Sequence, residues 1–122
     1  MEKTDLLITL THAEDNENNA TVAFVMGAEA LAKGYKVELV LLSNAVKLGR
    51  KEDPAIAIGD PFPALKDVRP GFLEKGGVLK ICKACMIHNG VEESELVDGA
   101  VVISAPDVID AIMNAEKTLQ LN

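Results

Sequence analysis

The sequence predicts one α/β domain: three α/β/α layers around a mostly parallel sheet of about five strands. Two observations carry this. Short continuous apolar runs, as in strands covered on both faces, alternate along the chain with stretches of helical periodicity. The 122 residues, 48% of them apolar, suffice for one packed core and leave little room for another, so residues 1–122 are read as a single domain.

Leu6-Leu7-Ile8-Thr9-Leu10 is the first buried strand. A polar loop over residues 11–18, rich in helix-capping residues, leads into a helix with Ala20, Ala23, Phe24, Gly27, Ala30 and Leu31 on one face. Met26 is assigned to the core, and Gly34 ends the helix. Residues 37–42 form the second strand, and the short segment 45–48 stops at Gly49. Residues 50–61 carry charge together with Pro54, Gly59 and Pro61, which reads as an excursion over the surface. Pro63 suits the start of a helix with Leu65, Val68 and Phe72 on one face; Pro70 and Gly71 are expected to kink or break it. Residues 78–81 are the third strand and 100–103 the fourth. A final helix from 105 to about 117 turns Val108, Ile109, Ile112 and Met113 inward, and residues 119–121 add a short fifth strand.

Composition narrows the function. Twelve lysines and arginines against 19 acidic residues give a net charge of −7. With no basic stripe, no tryptophan, one tyrosine and three phenylalanines, charge and stacking both argue against nucleic acid as a partner, and charge against anionic membranes. No window is long enough to cross a membrane, and the apolar stretch at residues 6–10 is too short for a signal peptide. The two cysteines, three positions apart, make no disulfide framework; the expected setting is cytoplasmic, with both thiols free. No glycine-rich phosphate cradle, dinucleotide fingerprint or nucleophile elbow is present, so no cofactor is implied.

In parallel sheets, ligands and reactive groups collect beyond the carboxyl ends of the strands, where this chain places His12, Asn44, Cys82 and Ser104. The informative stretch runs from Leu79 to Gly90. A buried strand ends at Ile81, Cys82 sits at the turn, and a short helix over residues 83–89 stops at Gly90. A thiol at a helix N-terminus, with Lys83 beside it and Lys80 two residues earlier on the same strand face, is in surroundings that favour thiolate. Cys82 is therefore the candidate nucleophile. For Cys85, one turn into the helix, packing as a small hydrophobe weighs as much as function. Lys80 is more simply a side chain snorkelling from a sheet edge.

Other readings stay open. Cys82-x-x-Cys85 has the spacing of a redox dithiol, although such sites follow the first strand of their unit and this one follows the third. Cys82, Cys85 and His88 form a C-x2-C-x2-H row, but on a helix its ends diverge and a fourth ligand is missing, so no metal is assigned. His12 is a candidate proton acceptor for Cys82 if their strands are near neighbours, and otherwise a solvated loop histidine. Asp15, Asn16, Glu17 and Asn18 read as helix caps and first-turn acids, and the acidic run at 92–95 as a solvated turn.

The small-residue-rich first helix, the stretch Gly77-Val78-Leu79-Lys80-Ile81-Cys82 and the Cys82-x7-Gly90-Val91 spacing resemble the DsrE/DsrF-like (YchN-like) family, over residues 5 to about 121. The resemblance implies a small cytoplasmic α/β domain that assembles into homotrimers or homohexamers. It also implies that the cysteine at position 82 carries a persulfide between sulfur donor and acceptor proteins or small thiols. Cys85 matches the second cysteine of the YchN-like branch, and Lys83 departs from the small apolar residues that follow the cysteine in sulfur-relay subunits. The expected function is thus a sulfurtransferase-like sulfur carrier acting through Cys82 and Cys85, with Lys83, Lys80, His12, His88 and Asn44 as supporting candidates. The competing expectations are a dithiol redox protein and a non-catalytic oligomeric module binding a small ligand near His12 and Asn44.

Overall fold

The computed structural model describes residues 2–122. Strands β1 (Thr4–Leu10), β2 (Val37–Leu41), β3 (Val78–Cys82), β4 (Val101–Ile103) and β5 (Ala115–Leu121) form one sheet in the order β4-β3-β2-β1-β5. Every pairing is parallel. The register sets Ile8 opposite Leu39 and Leu39 opposite Leu79, so a stripe of branched side chains crosses the centre of the sheet.

Side chains alternate between the two faces of this sheet. Ile8, Leu10, Leu39, Leu41, Leu79 and Ile81 pack with α1 (Glu17–Ala32) and α2 (Leu65–Glu74) in the larger core. Phe24 of α1 meets Phe72 of α2 edge-on, centroids 5.9 Å apart, at its middle. A Cβ on either Gly27 or Gly77 would run into the Phe72 ring, so both positions need glycine for closeness of approach. On the other face Leu7, Val40 and Ile103 meet Val108 and Ala111 of α4 (Ala105–Met113). That face is covered by one short helix, which makes the layers unequal.

Several expectations change. The last helix stops at Met113, and β5 already begins at Ala115 because residues 115–121 pair with β1 along its length. Its Glu116, Lys117 and Thr118 are exposed on an edge strand, so no apolar alternation announced it. Ile109 and Met113 point to solvent, 60% and 74% exposed, and Met26 is 47% exposed rather than core. The α2 helix starts at Leu65 and runs through Pro70 unbroken. Pro70 is on its exposed side, where water can take the carbonyl that proline leaves without a donor. Arg69 is buried: its Nη1 donates to the Leu48 carbonyl at 2.8 Å and Nη2 to that of Lys51 at 3.4 Å, tying the irregular 50–61 stretch to α2.

Candidate functional site: a thiol pair at the carboxyl edge of the sheet

Parallel strands aim their carboxyl ends at one edge, and His12, Asn44, Cys82 and Ser104 all lie along it. Their engagements differ. Ser104 caps α4: its Oγ donates to Asp107 at 2.9 Å, and its backbone N–H donates to the same carboxylate. Asn44 Nδ2 donates to Asp15 Oδ1 at 2.7 Å. His12 Nδ1 donates to Asp15 Oδ2 at 2.7 Å. With the Ala13 N–H as a third donor, Asp15 is a hub whose carboxyl is held far below its ordinary value by the His12 contact first and the Ala13 N–H second. Asp15 is a first-turn acid of the 3-10 turn Glu14–Asn16, and Asn16 caps α1 (its side chain accepts from the Asn19 N–H), as the sequence reading of residues 15–18 expects. The strand order puts β2 between β1 and β3, so His12 and Cys82 are not on neighbouring strands.

Cys82 stands at the N-cap of α3 (Lys83–Asn89) and makes no side-chain cap bond there. Gly90, with φ of 71°, ends α3 in the left-handed conformation expected of it. Both cysteines are free; Cys82 is 6% exposed and Cys85 more open. Cys85 faces the Cys82 sulfur: burial pushes its thiol above the ordinary value, the Ser43 backbone N–H opposes this, and the Cys82 sulfur adds to the rise. The two thiols therefore belong to one site.

Lys80 does not snorkel from an edge. Its strand is interior, and its Nζ lies 2.8 Å from Glu38 Oε1 on β2, off the line of a good hydrogen bond, so the contact is chiefly coulombic. Thr4 Oγ1 donates to the other Glu38 oxygen at 2.6 Å. The Lys80 charge is thereby committed to β2, while Lys83 and His88 are exposed on α3. Among the described residues, no group of three or more His, Cys, Asp and Glu side chains is arranged to hold a metal ion. Nor is any helix of the described residues long and apolar enough to cross a membrane.

Four participants carry no signal in the sequence. Asn89 Nδ2 bridges the carbonyls of Cys85 and Ser43, at 2.8 and 3.3 Å. Ser43 has a positive φ of 53°. Arg50 reaches the Gly90 carbonyl from Nη2 at 3.4 Å and lies 3.2 Å from Glu95, holding the far end of α3. Glu95 completes a capping box with Glu92, so the acidic run is one 3-10 turn, Glu93–Glu95.

A five-stranded parallel α/β domain with a Cys-x-x-Cys pair where an interior strand turns into a short helix defines a small thiol-bearing α/β protein. More particularly, the chain belongs to the DsrE/DsrF-like family, whose model matches residues 5–121; this family is related to sulfur relay. It is 26% identical to the uncharacterized protein MJ0989 of Methanocaldococcus jannaschii, over 92% of this chain and 95% of that one. It is 21% identical to the uncharacterized protein MK0008 of Methanopyrus kandleri, over 93% and 91%. Among solved structures, the E. coli ychN protein superposes with a TM-score of 0.71 at 20% identity, over 96% of this chain and 98% of that one. The protein MTH1491 of Methanobacterium thermoautotrophicum gives 0.72 at 12% identity, over 93% and 98%. At these identities the structures establish the fold.

Proposed function

We propose that the protein is a sulfur carrier of the sulfurtransferase type, in which Cys82 accepts sulfane sulfur as a persulfide and Cys85 assists its release. The observation that carries this reading is that Cys82 stands beside a second thiol while His12, Asn44 and Ser104 on the same sheet edge are engaged in fold-holding bonds. In loading, the Cys82 thiolate attacks the terminal sulfur of a donor persulfide. A bond forms to that sulfur, the donor's S–S bond breaks, and the donor leaves as thiolate. A Cys82 only 6% exposed suits a donor that presents one terminal sulfur, either a small persulfide or a protein cysteine on an extended arm. Release follows when an acceptor thiolate attacks the outer sulfur and Cys82 leaves as thiolate.

The carrier is proposed to work in the cytoplasm, where both thiols stay reduced, and as a homotrimer or homohexamer. Self-association is supported by the seven-residue edge strand β5 and by a groove of about 530 Å³ beside it, where Leu6, Met26, Tyr35 and Leu119 gather.

Intact-protein mass spectrometry after incubation with a sulfane-sulfur donor tests the reading. Wild type and Cys85→Ser should gain mass in steps of about 32 Da, removable by reductant, and Cys82→Ser should gain none. Loading that survives Cys82→Ser sinks the assignment. A mass loss of two hydrogens without any sulfur adduct supports dithiol redox chemistry instead.

A further inference from the structure

Helix α3, which starts directly after Cys82, has two unlike sides. Met86 packs into the core and Cys85 is half-buried against it, while Lys83, Ala84, Ile87 and His88 are all exposed. Spacings of three and four put these four on one side of the helix. Ile87 stands in the middle of that side and is 73% exposed.

The charge around it runs against that of the whole chain. Residues 75–91 hold no aspartate or glutamate, in a chain with 19 acidic residues and a net charge of −7. Among the described residues Lys83 has no ion-pair partner. Acids along the same edge are taken up elsewhere: Asp107 by Ser104 at 2.9 Å, Glu95 by Arg50 at 3.2 Å and Asp15 by His12 at 2.7 Å. The exposed apolar pair of α4, Ile109 and Met113, by contrast flanks Asp110.

We propose that the exposed side of α3 is the docking surface for the protein that exchanges sulfur with Cys82, and that this partner brings its reactive cysteine on an acidic segment with flanking apolar side chains. The inference rests on the carrier reading above and names its partner. Cys82, 6% exposed, directly precedes Lys83, so a segment seated along α3 lies within one residue of the thiol it must reach. Carboxylates opposite Lys83 set the partner's register, and its apolar side chains cover Ile87. A second copy of the chain does not fit as a two-fold mate, because that symmetry sets the Lys83 sides against each other.

The test follows thiol–disulfide exchange in the full chain carrying Cys85→Ser, so that Cys82 is its only thiol. The probes are two synthetic peptides, leucine-glutamate-cysteine-glutamate-leucine and its lysine counterpart, each joined through its cysteine to thionitrobenzoate. The Cys82 thiolate bonds to the peptide sulfur, the S–S bond of the probe breaks, and thionitrobenzoate leaves as a coloured anion. At low salt the acidic peptide should react about tenfold faster than the basic one, and the ratio should fall towards one at about 0.5 M salt. Adding Lys83→Glu should reverse the preference, and the ratio cancels any change in the thiol itself. Adding Ile87→Ser should slow the acidic peptide about threefold and leave a small neutral probe, the 2-mercaptoethanol disulfide of thionitrobenzoate, at its former rate.

Equal rates for the two peptides overturn the inference, as does an acidic preference that survives Lys83→Glu or an acidic-peptide rate that Ile87→Ser leaves unmoved. A change of oligomeric state in Ile87→Ser, read by analytical ultracentrifugation, also overturns it, since the face would then be covered by a second copy. The exchange involves no persulfide and so stands apart from loading. Failed loading with charge-selective exchange rejects the carrier and keeps the docking surface, and intact loading with unselective exchange does the reverse.

Discussion

The turn after β1 and the turn after β3 open on the same edge of the sheet and are built for opposite ends. After β1, Asp15 gathers His12, Asn44 and the Ala13 N–H, and each donor is matched to a carboxylate oxygen. After β3, two free cysteines stand one helical turn apart, with α3 starting between them. A satisfied polar cluster holds geometry, whereas a pair of free thiols keeps its reactivity. The comparison teaches that position at a sheet's carboxyl edge nominates residues, and that what remains unengaged there selects among them.

Substitutions can break this contrast. The largest expected effect is on chemistry: Cys82→Ser abolishes persulfide loading, while His12→Gln leaves it within about twofold, as mass spectrometry of the two variants side by side will show. Equal loss in both would make the β1 turn part of the reaction. Next comes the core on which both turns rest. Phe72→Ala, emptying the space that Gly27 and Gly77 shape, should cost about 3–5 kcal/mol in urea unfolding. A cost below about 1 kcal/mol would mean that the ring does not organise that core.

A smaller effect separates charge from packing near the thiols. Lys80→Met leaves a mostly buried Glu38 without its partner and should cost about 1–3 kcal/mol, partly recovered by adding Glu38→Leu. A double variant no more stable than the single one would deny the pair its coupling. The smallest effect is in the acid limb. Because the folded state holds the Asp15 carboxyl below its ordinary value of 3.8, its contribution to stability is present above about pH 4 and is lost as pH falls through the folded value. Asp15→Asn should therefore be less stable at neutral pH and lose less between pH 4 and 2 in thermal melts. A parallel loss in both proteins would place the acid sensitivity elsewhere, with Glu14, whose carboxyl Lys47 holds low, the next to examine.

The parallel three-layer plan was legible because buried strands such as residues 6–10 are continuous apolar runs and Gly34 and Gly90 punctuate the helices. The edge strand β5 was not, because exposed Glu116, Lys117 and Thr118 pair through their backbones and carry no apolar alternation. The cysteines were legible from spacing alone. Their surroundings were not: Lys80 looked like a charge available to the thiol until Glu38, 42 positions away in sequence, proved to hold it. Ser43 and Asn89 were invisible for the same reason, since a bond across 46 positions has no local signature.

The central claim is that the two thiols divide the work, Cys82 taking the sulfur and Cys85 removing it. Persulfide-selective alkylation at successive times, followed by peptide mapping, tests this most directly in wild type and Cys85→Ser. The account predicts that the sulfane sulfur appears first on the Cys82 peptide. In wild type alone it then disappears in step with hydrosulfide release and a Cys82–Cys85 disulfide. Sulfur arriving on Cys85, or leaving Cys82 equally fast in the Cys85→Ser protein, would contradict it.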